Sequence, residues 1–245
     1  MCIRDRRWMP PASHLPPPDL LQRIPAAARV VLDVGCGQGE LGAAYLRMNP
    51  TARYLGIDKD AAAAAIAAKH LSEVAVLDVE TEPLPFDLGD GVDCIIYCAV
   101  LEQLRDPWAL LRQHASLLHP DGMMLICVPN IEHWSFVDRL LRGNWNYQSA
   151  GLLDQHHLRW FSLEGMRQGL LSVGLTLCDV QPRIFDAAES TAFATALTPA
   201  LTALGIDPAS YTRRAAALQY IWRVSKRPIA PITVAGTMLA PVGGV

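Results

Sequence analysis

Two stretches of this 245-residue chain concentrate residue types that can do chemistry. The first is "VLDVGCGQGELG" at 31–42, where a β-branched run ends in Asp33 and is followed by Gly35, Gly37 and Gly39 at alternate positions. Glycine lets a backbone turn sharply and lets a ligand lie directly against the main chain, so a glycine-rich strand-to-helix turn is a place for a nucleotide-like cofactor. The second is "NWNYQSAGLLDQHHLRWF" at 144–161, which gathers Trp145, Tyr147, Asp154, His156, His157, Arg159, Trp160 and Phe161 without helical or strand periodicity. An imidazole with a carboxylate nearby can move a proton, a guanidinium can hold an anion, and aromatic rings can either cover a ligand or form core.

The glycine spacing separates two cofactor chemistries. A dinucleotide site needs G-x-G-x-x-G, and the position that should carry the third glycine is Glu40. The pattern here is D-x-G-x-G-x-G, which argues against a dehydrogenase. Asp58 closes "YLGID" about twenty residues beyond the glycines, where a carboxylate can bind ribose hydroxyls. Asp78, in "VLDVE", ends a third β-branched run and can accept from an adenine amino group. Each acid can also simply cap a helix or turn, an alternative that weighs most for Asp78.

These residues need a scaffold, and the flanking sequence supplies one. Strands are predicted in "RVVLDVG", "ARYLGID", "EVAVLDV", "VDCIIYCAV" and "GMMLICVP". Between them lie amphipathic or alanine-rich stretches such as "ELGAAYLRM", "DAAAAAIAAKHL" and "DPWALLRQHASLLH", the last with Asp106 as N-cap and Pro107 at the first helical position. Strict β/α alternation implies an α/β fold: a doubly wound, mostly parallel sheet covered by helices on both faces. The rhythm breaks for about thirty residues after Pro129 and resumes with a helix capped by Ser162. A sixth strand in "LTLCDVQPRIF" and a last strand in "ALQYIWRVSKR" bracket a helical insertion at 187–215.

The ordered segments "LDVGCGQGELG", "GIDKD", "LDVETEPLPF", "DCIIYCAVLEQL" and "LLHPDGMMLICVPN" resemble class I S-adenosylmethionine-dependent methyltransferases over roughly residues 29–183. The resemblance implies a seven-stranded Rossmann-like sheet with an antiparallel last strand and S-adenosyl-L-methionine as cofactor. It also implies Gly35, Gly37 and Gly39 around the methionine portion and Asp33 near its ammonium. Asp58 would then lie on the ribose and Asp78 at the adenine, with Val79 and Cys98 completing the cofactor-binding set. The chain departs from the family pattern at Gln103, where the "LEH" motif has histidine, and at Asp121, the second element of "PGG". The first change removes one proton acceptor beside the methyl group.

The 144–161 stretch resembles the "G-x-W-x-Y … D-x-x-H-L-R-x-F" region of a methyltransferase subgroup associated with sugar and surface-polysaccharide modification. That implies an acceptor lid over 130–161 in which His157 positions the acceptor or removes its proton, Asp154 orients His157, and Arg159 binds an anionic group. Arg159 as a structural latch on a carboxylate is an equal alternative. Trp145 and Tyr147 are candidates to stack on a sugar, whereas Trp160 and Phe161 fit lid core and His156 a solvent-facing bystander. No zinc-type spacing exists among His133, Asp154, His156 and His157, so no metal is expected.

Composition bounds the rest. A hydrophobic fraction of 51% with 18% charged residues fits a folded chain. A net charge of −3 offers no electrostatic footprint for nucleic acid. Six cysteines (Cys2, Cys36, Cys94, Cys98, Cys127, Cys178) are scattered without a C-x-x-C pair, which suggests reduced thiols in a cytoplasmic setting. No stretch supplies the apolar run of a membrane span or a signal peptide. Residues 1–18 read as a leader, "MCIRDR" resembling adaptor read-through; 19–227 as one methyltransferase domain; and 228–245 as an apolar tail or truncated linker. The expected activity is methyl transfer to oxygen of a small-molecule or glycan-linked acceptor. N- or C-methylation, or a non-catalytic module serving a glycosyltransferase partner or fused domain, are the alternatives.

Overall fold

The computed structural model describes residues 18–149 and 151–226; the leader before Pro18 and the tail beyond Lys226 lie outside the described residues. The chain runs α1 (Pro18–Leu21), β1 (Val30–Val34), α2 (Glu40–Met48), β2 (Arg53–Asp58), α3 (Ala61–Ala67), β3 (Glu73–Val76) and β4 (Val92–Cys98). A short 3₁₀ turn (Leu101–Gln103), α4 (Pro107–Ala115), β5 (Leu118–Pro129), α5 (Trp134–Leu141), α6 (Leu163–Ser172) and β6 (Thr176–Arg183) follow, then α7 (Ala187–Ala203), α8 (Pro208–Ala216) and β7 (Gln219–Ser225).

The seven strands form one sheet in the order β3-β2-β1-β4-β5-β7-β6. The first five are parallel, and β7 is antiparallel to both β5 and β6. Strand order reverses between β1 and β4, which opens a crevice at their carboxyl ends. Alternation along each strand feeds two cores. Leu32, Val34, Ile95, Tyr97 and Ile126 pack on one face with Leu110, Met166 and Leu170. Val31, Tyr54, Ile96 and Leu125 pack on the other with Leu20, Leu41 and Tyr45.

Helix starts follow local chemistry. Asp60 accepts from the Ala62 and Ala63 amides, Asp106 from Ala109 with Pro107 at the first turn, and Ser162 from Gly165. Each satisfies amide donors that the helix itself leaves open. The helical insertion is α7 and α8, which pack together. Helix α5 falls in the segment that shows no rhythm in sequence; it starts at His133 without a side-chain cap and spans 8 residues.

Both ends of the 130–161 segment are tied down. Asn130, 1% exposed, donates through Nδ2 to the Arg214 and Ala217 carbonyls at 2.8 Å each, and Ile131 N donates to Phe161 O at 2.9 Å. Glu132 accepts from Arg214 Nε at 2.8 Å and from Leu163 N at 3.1 Å. Asp186, just ahead of α7, accepts from Trp134 Nε1 at 2.7 Å and faces His133 Nε2 at 3.3 Å. The insertion thus braces the 130–161 segment.

Helix α2 lies close on the sheet because Gly42 has no side chain. A Cβ there would sit 2.5 Å from the Tyr54 ring and would also strike Leu71. Tyr54 cannot yield, since its hydroxyl is bonded to Asp33. Gly42→Ala is therefore expected to destabilise the fold by about 1–3 kcal/mol, the usual cost of overpacking, despite alanine's better helix propensity. Urea unfolding midpoints of the two proteins check this, and an unchanged or raised midpoint would contradict the packing.

Candidate cofactor and acceptor site

The crevice at the β1/β4 reversal is a cleft of about 390 Å³ lined by Gly35, Asp58, Asp78, Val79, Ala99 and Leu158 among others. That is within the range of small-molecule sites. The β1–α2 turn enters it through Gly35. Gly35, Gly37 and Gly39 have φ of 76°, 55° and 84°. Side chains resist such values, and a Cβ on Gly35 would collide with Val100. The turn is bound to the end of β2: the Ile57 carbonyl accepts from Gly35 N at 2.7 Å and Cys36 N at 2.9 Å, and Asp58 Oδ2 accepts from Gly37 N at 2.8 Å.

Asp58 Oδ1 also accepts from Asp60 N at 2.9 Å. A carboxylate offers about four acceptor positions, so lone pairs remain for hydroxyls in the cleft. Asp78 Oδ1 takes Glu80 N at 3.0 Å, so this acid shapes its turn and lines the cleft at once. Ala99 follows β4 with φ of 57°, an uncommon conformation for a residue with a side chain. Its amide donates to Cys127 O at 3.0 Å, and Gln103 Nε2 donates to its carbonyl at 3.0 Å. Gln103 Oε1 accepts from Lys59 Nζ at 3.4 Å, so the residue standing in place of the motif histidine works as a strut.

Of the expected cofactor residues, Gly35, Asp58, Asp78 and Val79 line the cleft, whereas Asp33, Gly37, Gly39 and Cys98 do not. Asp33, 3% exposed, does not line the cleft; it lies in the core on the α2 side and accepts from Tyr54 Oη at 2.9 Å. Burial pushes its carboxyl up to about 7, against the Tyr54 hydrogen bond and with a further contribution from the Asp58 charge. Cys98 also falls outside the cleft lining and pairs with the Cys127 thiol on the neighbouring strand.

The lid residues are rearranged relative to expectation too. Asp154 does not orient His157: its Oδ1 accepts from the His156 amide and faces His156 Nδ1, each at 2.8 Å. Arg159 is held by a main-chain group rather than a carboxylate, donating to the Arg105 carbonyl. Trp145 packs with Phe136 and Trp160, ring centroids 5.9 and 5.5 Å away, and Phe161 meets Trp108 edge-on at 5.9 Å. Only Tyr147 of the two proposed sugar platforms stands out, at 58% exposure.

His157 lies against Trp160, ring centroids 5.6 Å apart, with its side chain 7% exposed. What faces it is Glu102, whose Oε1 is 4.0 Å from His157 Nε2. Sequence reading passes over Glu102 because it looks like one more letter of a motif; nothing local announces that the lid will bury it. Glu80 is missed likewise: its Oε1 accepts from Arg105 N at 2.9 Å and Asp106 N at 3.0 Å, fixing the cleft's far rim. Among the described residues no group of metal-ligating side chains assembles, and no helix is long and apolar enough to cross a membrane.

A five-stranded parallel sheet continued by an antiparallel pair, with a glycine turn and a β2 carboxylate facing one cleft, defines a nucleoside-cofactor enzyme of the Rossmann-like class. Residues 6–180 match the family model described as a methyltransferase domain, so the chain belongs to that family. It is a class I S-adenosylmethionine-dependent methyltransferase. It is 28% identical over 166 residues to the ubiquinone biosynthesis O-methyltransferase of Xanthomonas axonopodis pv. citri, covering 66% of this chain and 68% of that one. To the trans-aconitate 2-methyltransferase of Azoarcus sp. it is 33% identical over 138 residues, 54% of this chain and 53% of the other, so it spans about half of that relative's length. A solved S-adenosylmethionine-dependent methyltransferase from Archaeoglobus fulgidus shares the fold, with a TM-score of 0.57 at 16% identity over 84% of this chain and 91% of that one. The open glycine turn and the acid at the end of β2 fit the cofactor.

S-adenosylhomocysteine is expected to bind the wild type in the micromolar range, about −8 kcal/mol. Loss of two charge-assisted acceptors in Asp58→Ala should weaken this at least tenfold. Calorimetric titration checks it, and equal affinities would remove Asp58 from the site. Asp33 sets a pH dependence. Its folded-state value of about 7 lies above the ordinary carboxylate range, so ionisation disfavours the fold. Stability should fall as pH rises from about 4 to about 7, by on the order of 4 kcal/mol. Asp33→Asn should flatten unfolding free energy across that window; a slope unchanged from wild type would refute the assignment.

Proposed function

We propose that the protein transfers the methyl group of S-adenosylmethionine to a hydroxyl oxygen of a small molecule, sugars and glycan-linked groups included, held between the cleft and the 130–161 lid. The observation that carries this reading is the position of His157. It is a mostly buried imidazole directly beside Leu158, which lines the cleft. The bound cofactor supplies an electrophilic methyl on a sulfonium. The chain's residues orient the acceptor, exclude water and remove its proton. Burial holds His157 below the usual histidine range, against the pull of Asp154, so the ring is neutral and able to accept a proton at pH 7.

The O-methyltransferase among the relatives supports oxygen as the acceptor atom, and the exposed Tyr147 ring at the lid supports a flat or saccharide acceptor. Arg159, exposed beside the cleft rim, is available to an anionic substituent on the acceptor.

The test uses labelled cofactor and a panel containing catechol, simple sugars, trans-aconitate and primary amines. Label is expected in hydroxyl oxygens. His157→Ala should lower kcat by about 10²–10⁴ with S-adenosylhomocysteine affinity unchanged. Label found only in carboxylates, amines or carbon, or full activity in His157→Ala, would reject the reading.

A further inference from the structure

One hydrogen bond joins the two walls of the cofactor cleft. Lys59 follows the last residue of β2, Gln103 closes the 3₁₀ turn after β4, and both line the cleft. In the sheet β1 lies between β2 and β4. At about 4.8 Å per strand spacing, the carboxyl ends of β2 and β4 stand about 10 Å apart. The Lys59 ammonium nonetheless donates to Gln103 Oε1 at 3.4 Å. The contact therefore arches over the end of β1, where Gly35 enters the cleft and Asp58 borders it. The cleft keeps its volume of about 390 Å³ with this bond made, so the contact bridges the space rather than filling it.

The two halves of the bridge are built differently. Gln103 is the fixed half. Its Nε2 donates to the Ala99 carbonyl at 3.0 Å, which leaves Oε1 as the end that meets Lys59. Its own amide is tied to the Val100 carbonyl at 2.9 Å, and the Glu102 carbonyl beside it accepts from the Leu158 and Arg159 amides. Lys59 is the moving half, an exposed ammonium on a flexible four-carbon stem.

The neighbouring acids do not draw that ammonium away. Asp58 accepts from the Gly37 and Asp60 amides, and Asp60 from those of Ala62 and Ala63. Lys59 forms no salt bridge among the described residues. A contact between an exposed lysine and a neutral amide is weak enough to break and re-form. That suits a gate better than a brace.

We propose that Lys59 and Gln103 form a clasp across the cleft that must open for S-adenosylmethionine to enter and for S-adenosylhomocysteine to leave. They are positioning residues for cofactor exchange, whichever acceptor takes the methyl group. Lys59 swings out while Gln103 stays in place as the catch. A barrier common to entry and exit changes both rates by one factor, and that factor cancels from their ratio. The clasp therefore governs rates more than affinity.

The test is surface plasmon resonance on the immobilised full chain, with S-adenosylhomocysteine as the probe. Lys59→Ala is expected to raise the association and dissociation rates together by about fivefold, the contribution of one exposed hydrogen bond. Affinity should stay within about twofold of wild type. Gln103→Glu turns the bridge into an ion pair, which should slow both rates at low salt. That slowing should vanish at about 1 M salt, where the screening length is about 3 Å. It should also be absent when Gln103→Glu is combined with Lys59→Ala, because the new charge then has no partner.

Unchanged rates in Lys59→Ala, or slowing by Gln103→Glu that persists without the lysine, would overturn the clasp. Faster association with unchanged dissociation would overturn it too, since that marks a side chain competing for the cofactor's place. Lys59 is exposed, so its truncation decides even if a change at Gln103 disturbs the turn. A wild type that binds no S-adenosylhomocysteine would strike down the cofactor reading and the clasp together. Wild-type binding with unaltered rates in the variants strikes down the clasp alone.

Discussion

The site depends first on one knot of hydrogen bonds, the fastening of the β1–α2 turn to the end of β2. Two consecutive amides, Gly35 and Cys36, converge on the Ile57 carbonyl, and the next glycine amide goes to Asp58. A turn with three residues at positive φ has no helical or strand ladder to satisfy its donors. Binding those donors to the neighbouring strand turns a flexible glycine run into a rigid turn. The same carboxylate that fastens the turn also lines the cleft, so one side chain serves the scaffold and faces the site.

The 130–161 segment is held by a different logic. Its ends meet through Ile131 and Phe161 and are anchored on α8 by Asn130 and Glu132. Its middle is a cluster of Phe136, Trp145 and Trp160. Edge-to-face packing of large rings gives a compact body at small entropic cost, because each ring has only two side-chain torsions to fix. What docks this body on the cleft is the Glu102 carbonyl. Chain segments far apart in sequence thereby fix the distance between a carboxyl and an imidazole.

How much of this was legible in sequence follows from the range of the forces involved. Strands β1, β2, β4 and the tail of β5 announce themselves by β-branched runs ended by glycine, aspartate or proline, and Asp106 and Ser162 mark helix starts through local hydrogen bonds. The acids at Asp58 and Asp78 were readable because strand ends in this topology all face one edge. Helix α5 was not, since it is short, uncapped and stabilised by tertiary contacts such as Phe136 against Trp145 and Trp160. Asp154 looked like the partner of His157 because it lies so close in the chain. In an extended loop the nearer His156 wins that carboxylate, and the partner of His157 arrives from another part of the chain.

Asp33 and Glu102 show why burial alone does not identify a working carboxyl. Both are nearly inaccessible, and burial raises both. Asp33 has Tyr54 as a donor and sits inside the hydrophobic layer beneath α2, so its polarity is consumed in fixing how that helix lies on the sheet. Glu102 has no side-chain donor such as Tyr54 gives Asp33, and the group facing it is itself able to gain or lose a proton. A satisfied buried carboxyl is spent on structure; an unsatisfied one beside a titratable ring retains free energy that a proton can release. The distinction lies in the partner rather than in the depth.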